Sequence, residues 1–410
     1  MQTLTAKYPF IERSVQYINP ELVKSNGTKK IFISGFLQRI IRQFIWMNIM
    51  GVALRIYKNP FLAFKKVKAL KQLRNQTRNN RALPKYARAG NRFFVNFNTP
   101  GWPSKAFNRY VAHQLNSFTS AGANSIHTLV FAITKKCGFK CEHCFEWLNL
   151  NKPETLSKEE LLLIVHRFHQ LGVSQVQFSG GEPLNRLPDI YYLLDNAPSG
   201  IDYWLYTTGY SLTPEKAQLL KQHGLTGITI SLDHCDEEKH NSFRGVKDAY
   251  DRALKATGYA TTAGLIVCFS LCATKEFISI KNLLRYAELA KKHKVSFIQI
   301  LEPKAVGHYE GKDVTLQPSQ QAILEQFTDT FNYNADYKSY PTLVYHEYNS
   351  RRFGCSGSGS DYVYADTDGD IHNCPFCQRK LFSAFDDALP DLLHQMKTKG
   401  CAAFSSCSKN

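Results

Sequence analysis

From about residue 125 onward, apolar positions gather into short strand-like runs at 129–134, 173–178, 203–207, 227–232, 265–271 and 295–301. Between them, near 157–171, 213–223, 247–258 and 276–293, apolar residues recur three and four apart, the spacing of one helix face. Strands alternating with crossover helices predict an α/β fold with a parallel sheet, either open and doubly wound or curled into a partial barrel. A further helical period follows near 317–332. The texture then changes: residues 354–377 are rich in Gly, Cys, Asp and Ser, which predicts a small metal-stapled C-terminal module.

Upstream the pattern is different. The longest uncharged apolar stretch, 43–54, has twelve residues with Asn48 inside it. A membrane-spanning helix needs about 20. Phe61, Phe64, Val67, Leu70 and Leu73 then recur at near-helical spacing, with Lys65, Lys66, Lys68, Lys71 and Arg74 largely between them. Such a basic amphipathic segment, spanning residues 36–75, suits a helix lying on the anionic inner face of a membrane. It suits equally a helical extension packed on the main body with its cations in water. Residues 75–110, rich in Asn, Arg and Pro, read as a linker with little regular structure.

Charge and cysteine content narrow the class. The net charge of +17 suggests a nucleic-acid partner until it is divided along the chain. Residues 1–110 hold 21 Lys and Arg against two carboxylates, whereas the remainder holds 30 against 32. The excess belongs to the N-terminal quarter, so the main body is not a nucleic-acid binder by its charge. Eleven cysteines, odd in number and clustered, follow no secretory signal. They argue for metal-bound thiolates in a reducing, cytoplasmic compartment rather than for a disulfide framework.

The first cluster is Cys137, Cys141 and Cys144, a C-x3-C-x2-C run directly after the first strand of the alternating region. Three thiolates on one short loop can converge on one face of a metal centre. A tetrahedral zinc would need a fourth ligand, and His143 is poorly placed beside Cys144 to provide it. A 4Fe–4S cluster takes one thiolate per iron, and three cysteines leave one iron open. The second strand ends in Gly180-Gly181-Glu182-Pro183. Both loops belong to the carboxyl ends of their strands, where parallel α/β folds bind ligands. Two glycines admit close approach of a ligand to the backbone, and Glu182 can accept from an ammonium group.

With these two segments the chain resembles the radical S-adenosylmethionine (SAM) superfamily over roughly residues 123–310. The resemblance implies a partial (βα)6 barrel between an N-terminal basic helical extension (1–110) and a C-terminal module (311–410). It implies that Cys137, Cys141 and Cys144 hold a 4Fe–4S cluster whose open iron binds SAM. Gly180, Gly181 and Glu182 then hold the methionine amino group. Ser231, at the end of the fourth strand, becomes a ribose or carboxylate contact, with Asp233 a weaker candidate. Arg244, in the run His240-Asn241-Ser242-Phe243-Arg244-Gly245, becomes a partner for the SAM carboxylate. Gly307 falls where the adenine is flanked. Two positions depart from the commoner pattern: His143, where Tyr or Phe is usual, and Thr208, where Asn is frequent.

Cys355, Cys374 and Cys377 form a second group, with Cys401 and Cys407 near the end of the chain. Residues 362–377 read as a hairpin with Asp-Gly at its turn. This region resembles the SPASM or Twitch modules that hold auxiliary Fe–S clusters. Five cysteines fit one auxiliary 4Fe–4S cluster, with Cys401 or Cys407 as the fourth ligand; zinc is the alternative. The chemistry implied is reductive cleavage of SAM to a 5′-deoxyadenosyl radical that abstracts hydrogen from a peptide, a protein or a membrane-associated small molecule. A reductant such as ferredoxin or flavodoxin is implied as partner. A non-catalytic iron–sulfur or zinc regulatory protein is the competing reading.

Overall fold

The computed structural model describes residues 31–78, 80–117 and 126–399. Strands β4 (Thr128–Ala132), β5 (Gln175–Ser179), β6 (Asp202–Thr207), β7 (Gly227–Ser231), β8 (Ile266–Cys272) and β9 (Phe297–Leu301) are the six runs read from the sequence. They pair in parallel and in chain order. A doubly wound sheet reverses its order at a switch point; this one does not, and the partial barrel is the architecture. The sheet also continues past residue 310, because β10 (Thr342–Tyr345) adds in parallel to β9. At the other edge β11 (Tyr362–Ala365) lies parallel to β4, followed by the antiparallel β12 (Asp370–His372) and β13 (Phe382–Ser383).

Crossover helices cover one face of the sheet. The helix Lys158–Gln170 starts on a capping box between Ser157 and Glu160, and buries Leu161, Ile164, Val165 and Phe168. Alternate strand residues, among them Leu129, Phe131, Val176, Phe178, Leu205, Ile230, Phe269 and Ile298, meet these helices in the main core.

The N-terminal region is more ordered than its composition suggests. Helix α1 (Gly35–Tyr57) ends where Lys58 turns left-handed at φ 52°. Helix α2 (Pro60–Gln76) begins with proline at its first position, and the Asn59 side chain accepts from Leu62 N at 3.0 Å. The stretch expected to be a linker instead contains β2 (Lys85–Ala89), β3 (Arg92–Phe94) and the start of α3 (Lys105–Ser117). Together with β1 (Phe32–Ser34) they form a three-stranded antiparallel sheet. The strands are three to five residues long, too short for a period-two pattern to stand out. Lys85 is wholly buried, its ammonium group shared among the carbonyls of Tyr337, Tyr340 and Pro341.

The expected amphipathic stripe is divided. Val67 and Leu70 pack with Ile41, Ile45, Ile49 and Val52 in an N-terminal core, but Phe61 is 86% exposed and Phe64 61%. Phe36, Phe44, Met47 and Leu54 are likewise exposed along α1. No helix among the described residues is long and apolar enough to cross a membrane.

Candidate metal centre and active site

The loop after β4 brings Cys137, Cys141 and Cys144 into one small group with Phe139, Val246 and Ala249. Burial, aided by Cys141, pushes the Cys137 thiol up to about 11 and Cys144 up to about 12. Burial raises Cys141 too. Buried thiols of this kind become thiolates when a metal supplies the compensating charge. The donor set therefore fits three corners of a 4Fe–4S cluster. No group of three His, Cys, Asp or Glu among the described residues is arranged to hold a single metal ion. His143 takes no part: its ring stacks on Phe243 at 4.8 Å, and burial pulls it down to about 4, a neutral imidazole.

The Gly180–Glu182 segment is fastened to that loop by backbone hydrogen bonds. Gly181 N donates to Thr134 O at 2.7 Å and Glu182 N to Lys136 O at 2.8 Å. A Cβ on Gly180 would lie 2.5 Å from Thr134 O, and one on Gly181 2.5 Å from Lys136 O. The space that glycine opens here is filled by the chain's own cysteine loop. Glu182 is buried and accepts from Thr207 Oγ1 (2.6 Å), Thr208 N (2.8 Å), Thr208 Oγ1 (2.6 Å) and Leu184 N (3.1 Å). All four donors are neutral, so the geometry leaves the carboxylate's charge for a cation from outside. Thr208, one of the two unusual positions, is thus a clamp on Glu182.

Ser231 is half-buried at the end of β7, beside Ser270 of β8. Arg244 is held between Asp233 and Cys141. Its Nε and Nη2 go to Asp233 Oδ2 at 2.6 and 2.5 Å, and its Nη1 lies 3.5 Å from Cys141 Sγ. Burial opposes ionisation of Asp233, but Arg244 overrides it and holds the carboxyl below its ordinary range. The guanidinium fork is therefore already engaged, with one edge on a sulfur.

A cavity of about 290 Å³ opens between Gly138 and Phe139 of the cysteine loop, Glu182 and Asn185 after β5, Tyr210 and Ser211 after β6, and Val246. The loop after β9 braces the cysteines from the other side. A Cβ on Gly307 would lie 2.3 Å from Cys144 O, His308 N donates to Cys144 O at 2.9 Å, and the His308 ring stacks on Trp147 at 4.0 Å. Nothing in the local sequence marked His308 or Trp147.

In the C-terminal module Gly369 takes φ 79° at the expected turn, and the hairpin brings Cys374 and Cys377 to 3.7 Å between sulfurs. The hydrogen bond between them lowers the Cys377 thiol and raises Cys374. Cys355 Sγ and the Tyr362 ring both lie beside Gly357, each 3.4 Å from where its Cβ would stand. Burial, and after it the three cysteines, push the Tyr362 hydroxyl up. Cys401 and Cys407 lie outside the described residues. Phe145, next to Cys144, is 5.9 Å from both Tyr364 and Phe376, so one aromatic contact joins the two cysteine groups.

Residues 131–300 match the Radical SAM superfamily. The chain is 28% identical over 170 residues to the AdoMet-dependent heme synthase of Nitratidesulfovibrio vulgaris, covering 41% of this chain and 46% of that protein. It is 28% identical over 273 residues to the GTP 3′,8-cyclase of Staphylococcus carnosus, covering 61% and 79%. The match thus spans less than half the length of the first of these relatives. In fold it resembles Streptococcus suis SuiB bound to precursor peptide SuiA, with a TM-score of 0.55 and 16% identity over 84% of this chain and 81% of that one. It also resembles anSMEcpe with bound AdoMet, with a TM-score of 0.52 and 16% identity over 68% and 88%.

Proposed function

We propose, from the premise that residues 131–300 are a radical SAM domain, that the whole chain is a radical SAM enzyme acting on a peptide or protein. The carrying observation is the docking of the Cys137/Cys141/Cys144 loop on the Gly180–Glu182 segment. That contact sets the three clustered thiols beside a cavity lined by Gly138, Phe139 and the uncompensated Glu182 carboxylate. When bound, a 4Fe–4S cluster held by those thiols supplies the electron that splits SAM and so the radical that takes hydrogen from substrate. The chain's own residues orient and enclose: Glu182, clamped by Thr207 and Thr208, receives the methionine ammonium. Ser231, at the end of β7, would contact the ribose or the carboxylate. Arg244 steadies Cys141 and leaves the SAM carboxylate to other donors.

The peptide reading draws on two fold relatives, SuiB bound to precursor peptide SuiA and anSMEcpe with bound Cp18Cys peptide. Cys355, Cys374 and Cys377, completed by Cys401 or Cys407, hold an auxiliary cluster. A ferredoxin or flavodoxin supplies electrons. Residues 35–76 carry nine Lys and Arg and no carboxylate, together with the exposed Phe36, Phe44, Met47 and Phe61. That combination supports a peripheral seat on an anionic membrane face.

The test is iron and sulfide content after anaerobic reconstitution, with electron paramagnetic resonance of the reduced protein before and after SAM. About eight irons, falling by about four in the Cys137/Cys141/Cys144→Ala variant, and a spectrum altered by SAM support the reading. A spectrum unchanged by SAM with full iron content contradicts it.

A further inference from the structure

The face of the sheet turned away from the helices carries Gln177, Tyr206, Ser231, Ser270 and Gln299, since their strand neighbours Phe178, Leu205, Ile230, Phe269 and Ile298 belong to the helix-side core. Register aligns Ser231, Ser270, Gln299 and Val344 across β7 to β10. Tyr206 and Ser231 on central strands, and Val344 on the edge strand β10, are only half-buried, so they border an open chamber. The N-terminal module forms its floor. Phe97 packs between Trp204 and Phe297, and Asn98 reaches the chamber wall.

Hydrogen-bond polarity along this floor is fixed from one end. Gln175 Nε2 donates to the backbone carbonyl of Phe97 at 2.6 Å, and a carbonyl only accepts, so Gln175 Oε1 must face the other way. It accepts from Gln177 Nε2 at 3.4 Å, which also donates to Asn98 Oδ1 at 3.3 Å. Asn98 Nδ2 is thereby turned to His346 Nε2 at 3.5 Å. Burial pulls His346 down to about 4, so the ring is neutral, and Nε2 is its accepting nitrogen. Gln299 Nε2, 3.3 Å from that same nitrogen, is then a donor. Its Oε1 is left buried without a hydrogen bond. Of the described hydroxyls on this face, that of Tyr206 goes to Gln177 Oε1 at 3.3 Å, and none, Ser231 and Ser270 included, reaches Gln299 Oε1. The chamber is short of one donor.

We propose that the substrate supplies it: an uncharged N–H or O–H group enters beside Tyr206 and is accepted by Gln299 Oε1. It does so directly, or by donating to the Tyr206 oxygen while that hydroxyl turns from Gln177 to Gln299. The group is uncharged because the floor offers only amides, a phenol and a neutral imidazole, and an ion buried among them has no partner. Asn98 makes the N-terminal module part of substrate selection. The inference deepens the proposed function and rests on it for calling this chamber the substrate's.

The test needs no turnover. Full-length reconstituted protein, labelled with 15N in its glutamine side chains, is titrated with N-methylacetamide, with methyl glucoside and with methylammonium, and the Gln299 amide resonance is followed. The Gln299→Leu variant assigns the signal and should weaken probe binding about tenfold, or 1.4 kcal/mol. The wild-type titration decides even where that variant fails to fold. A saturable shift with N-methylacetamide marks an amide donor, and one with the glucoside a sugar hydroxyl; either carries the proposal. Silence from both neutral probes, or a larger response to methylammonium, overturns it. SAM cleavage measured on the same sample separates the two claims: probe binding without cleavage sinks the enzyme reading alone.

Discussion

Arg244 and Cys141 are joined by a hydrogen bond of 3.5 Å from Nη1 to Sγ, while the rest of the guanidinium is held by Asp233. A cationic donor aimed at a thiolate draws charge from it and favours the reduced state of whatever metal it holds. Arg244→Lys loses the planar fork and should lower the reduction potential of the cluster with its iron retained, measured by a potentiometric titration. Asp233→Ala strands a buried cation and should cost about 3–5 kcal/mol of stability in urea unfolding.

The two glycines after β5 make a sharper structural prediction. Gly180→Ala combines a φ of 129° with a carbonyl 2.5 Å from the new Cβ. It should destabilise the protein by about 2–3 kcal/mol and loosen iron binding. Gly138→Ala meets nothing within 4 Å and should stay within about 0.5 kcal/mol of wild type. Equal effects of the two substitutions in urea unfolding would refute the close-docking argument.

Glu347 gives a pH signature. It is buried, one carboxylate oxygen has no hydrogen bond, and Lys304 lies 3.8 Å from the other. Burial pushes its carboxyl up to about 7 from an ordinary 4.5, with Lys304 opposing. The folded state therefore binds more protons than the unfolded state between those values, and the group costs stability as pH rises through them. Glu347→Gln should match wild type near pH 4 and exceed it by about 2–3 kcal/mol at pH 8, compared by chemical denaturation.

The exposed face of the N-terminal helices is open to a direct check. Combined Phe44→Ser, Met47→Ser and Phe61→Ser changes remove apolar area already in water, so the unfolding midpoint should barely move. Binding to vesicles containing phosphatidylserine should fall at least about tenfold, and wild-type binding should weaken with salt. Unaltered vesicle binding would remove the membrane reading.

The barrel strands were legible because their helix-facing Val, Ile, Leu and Phe recur in short runs between stretches of helical period, and the cysteine loop because its spacing is local. The C-terminal hairpin was legible from Asp368-Gly369. Residues 85–94 were not: their pairing with β1 depends on partners some fifty residues away, and Lys85 reads as a surface residue until its three carbonyls are seen. Arg244 closes the helix Glu237–Arg244, and the sequence does not reveal that Asp233 faces it. The polar floor escaped notice because Gln177, Gln299 and His346 lie far apart in the chain, and only strand register brings them together.

The most direct measurement is 5′-deoxyadenosine formed from SAM by anaerobically reconstituted, dithionite-reduced protein. Wild type should form it and the Cys137/Cys141/Cys144→Ala variant none, while Cys374→Ala/Cys377→Ala retains the activity. Equal product from wild type and the triple variant, or none from wild type with a full cluster complement and cell extract as substrate source, would contradict the enzyme reading.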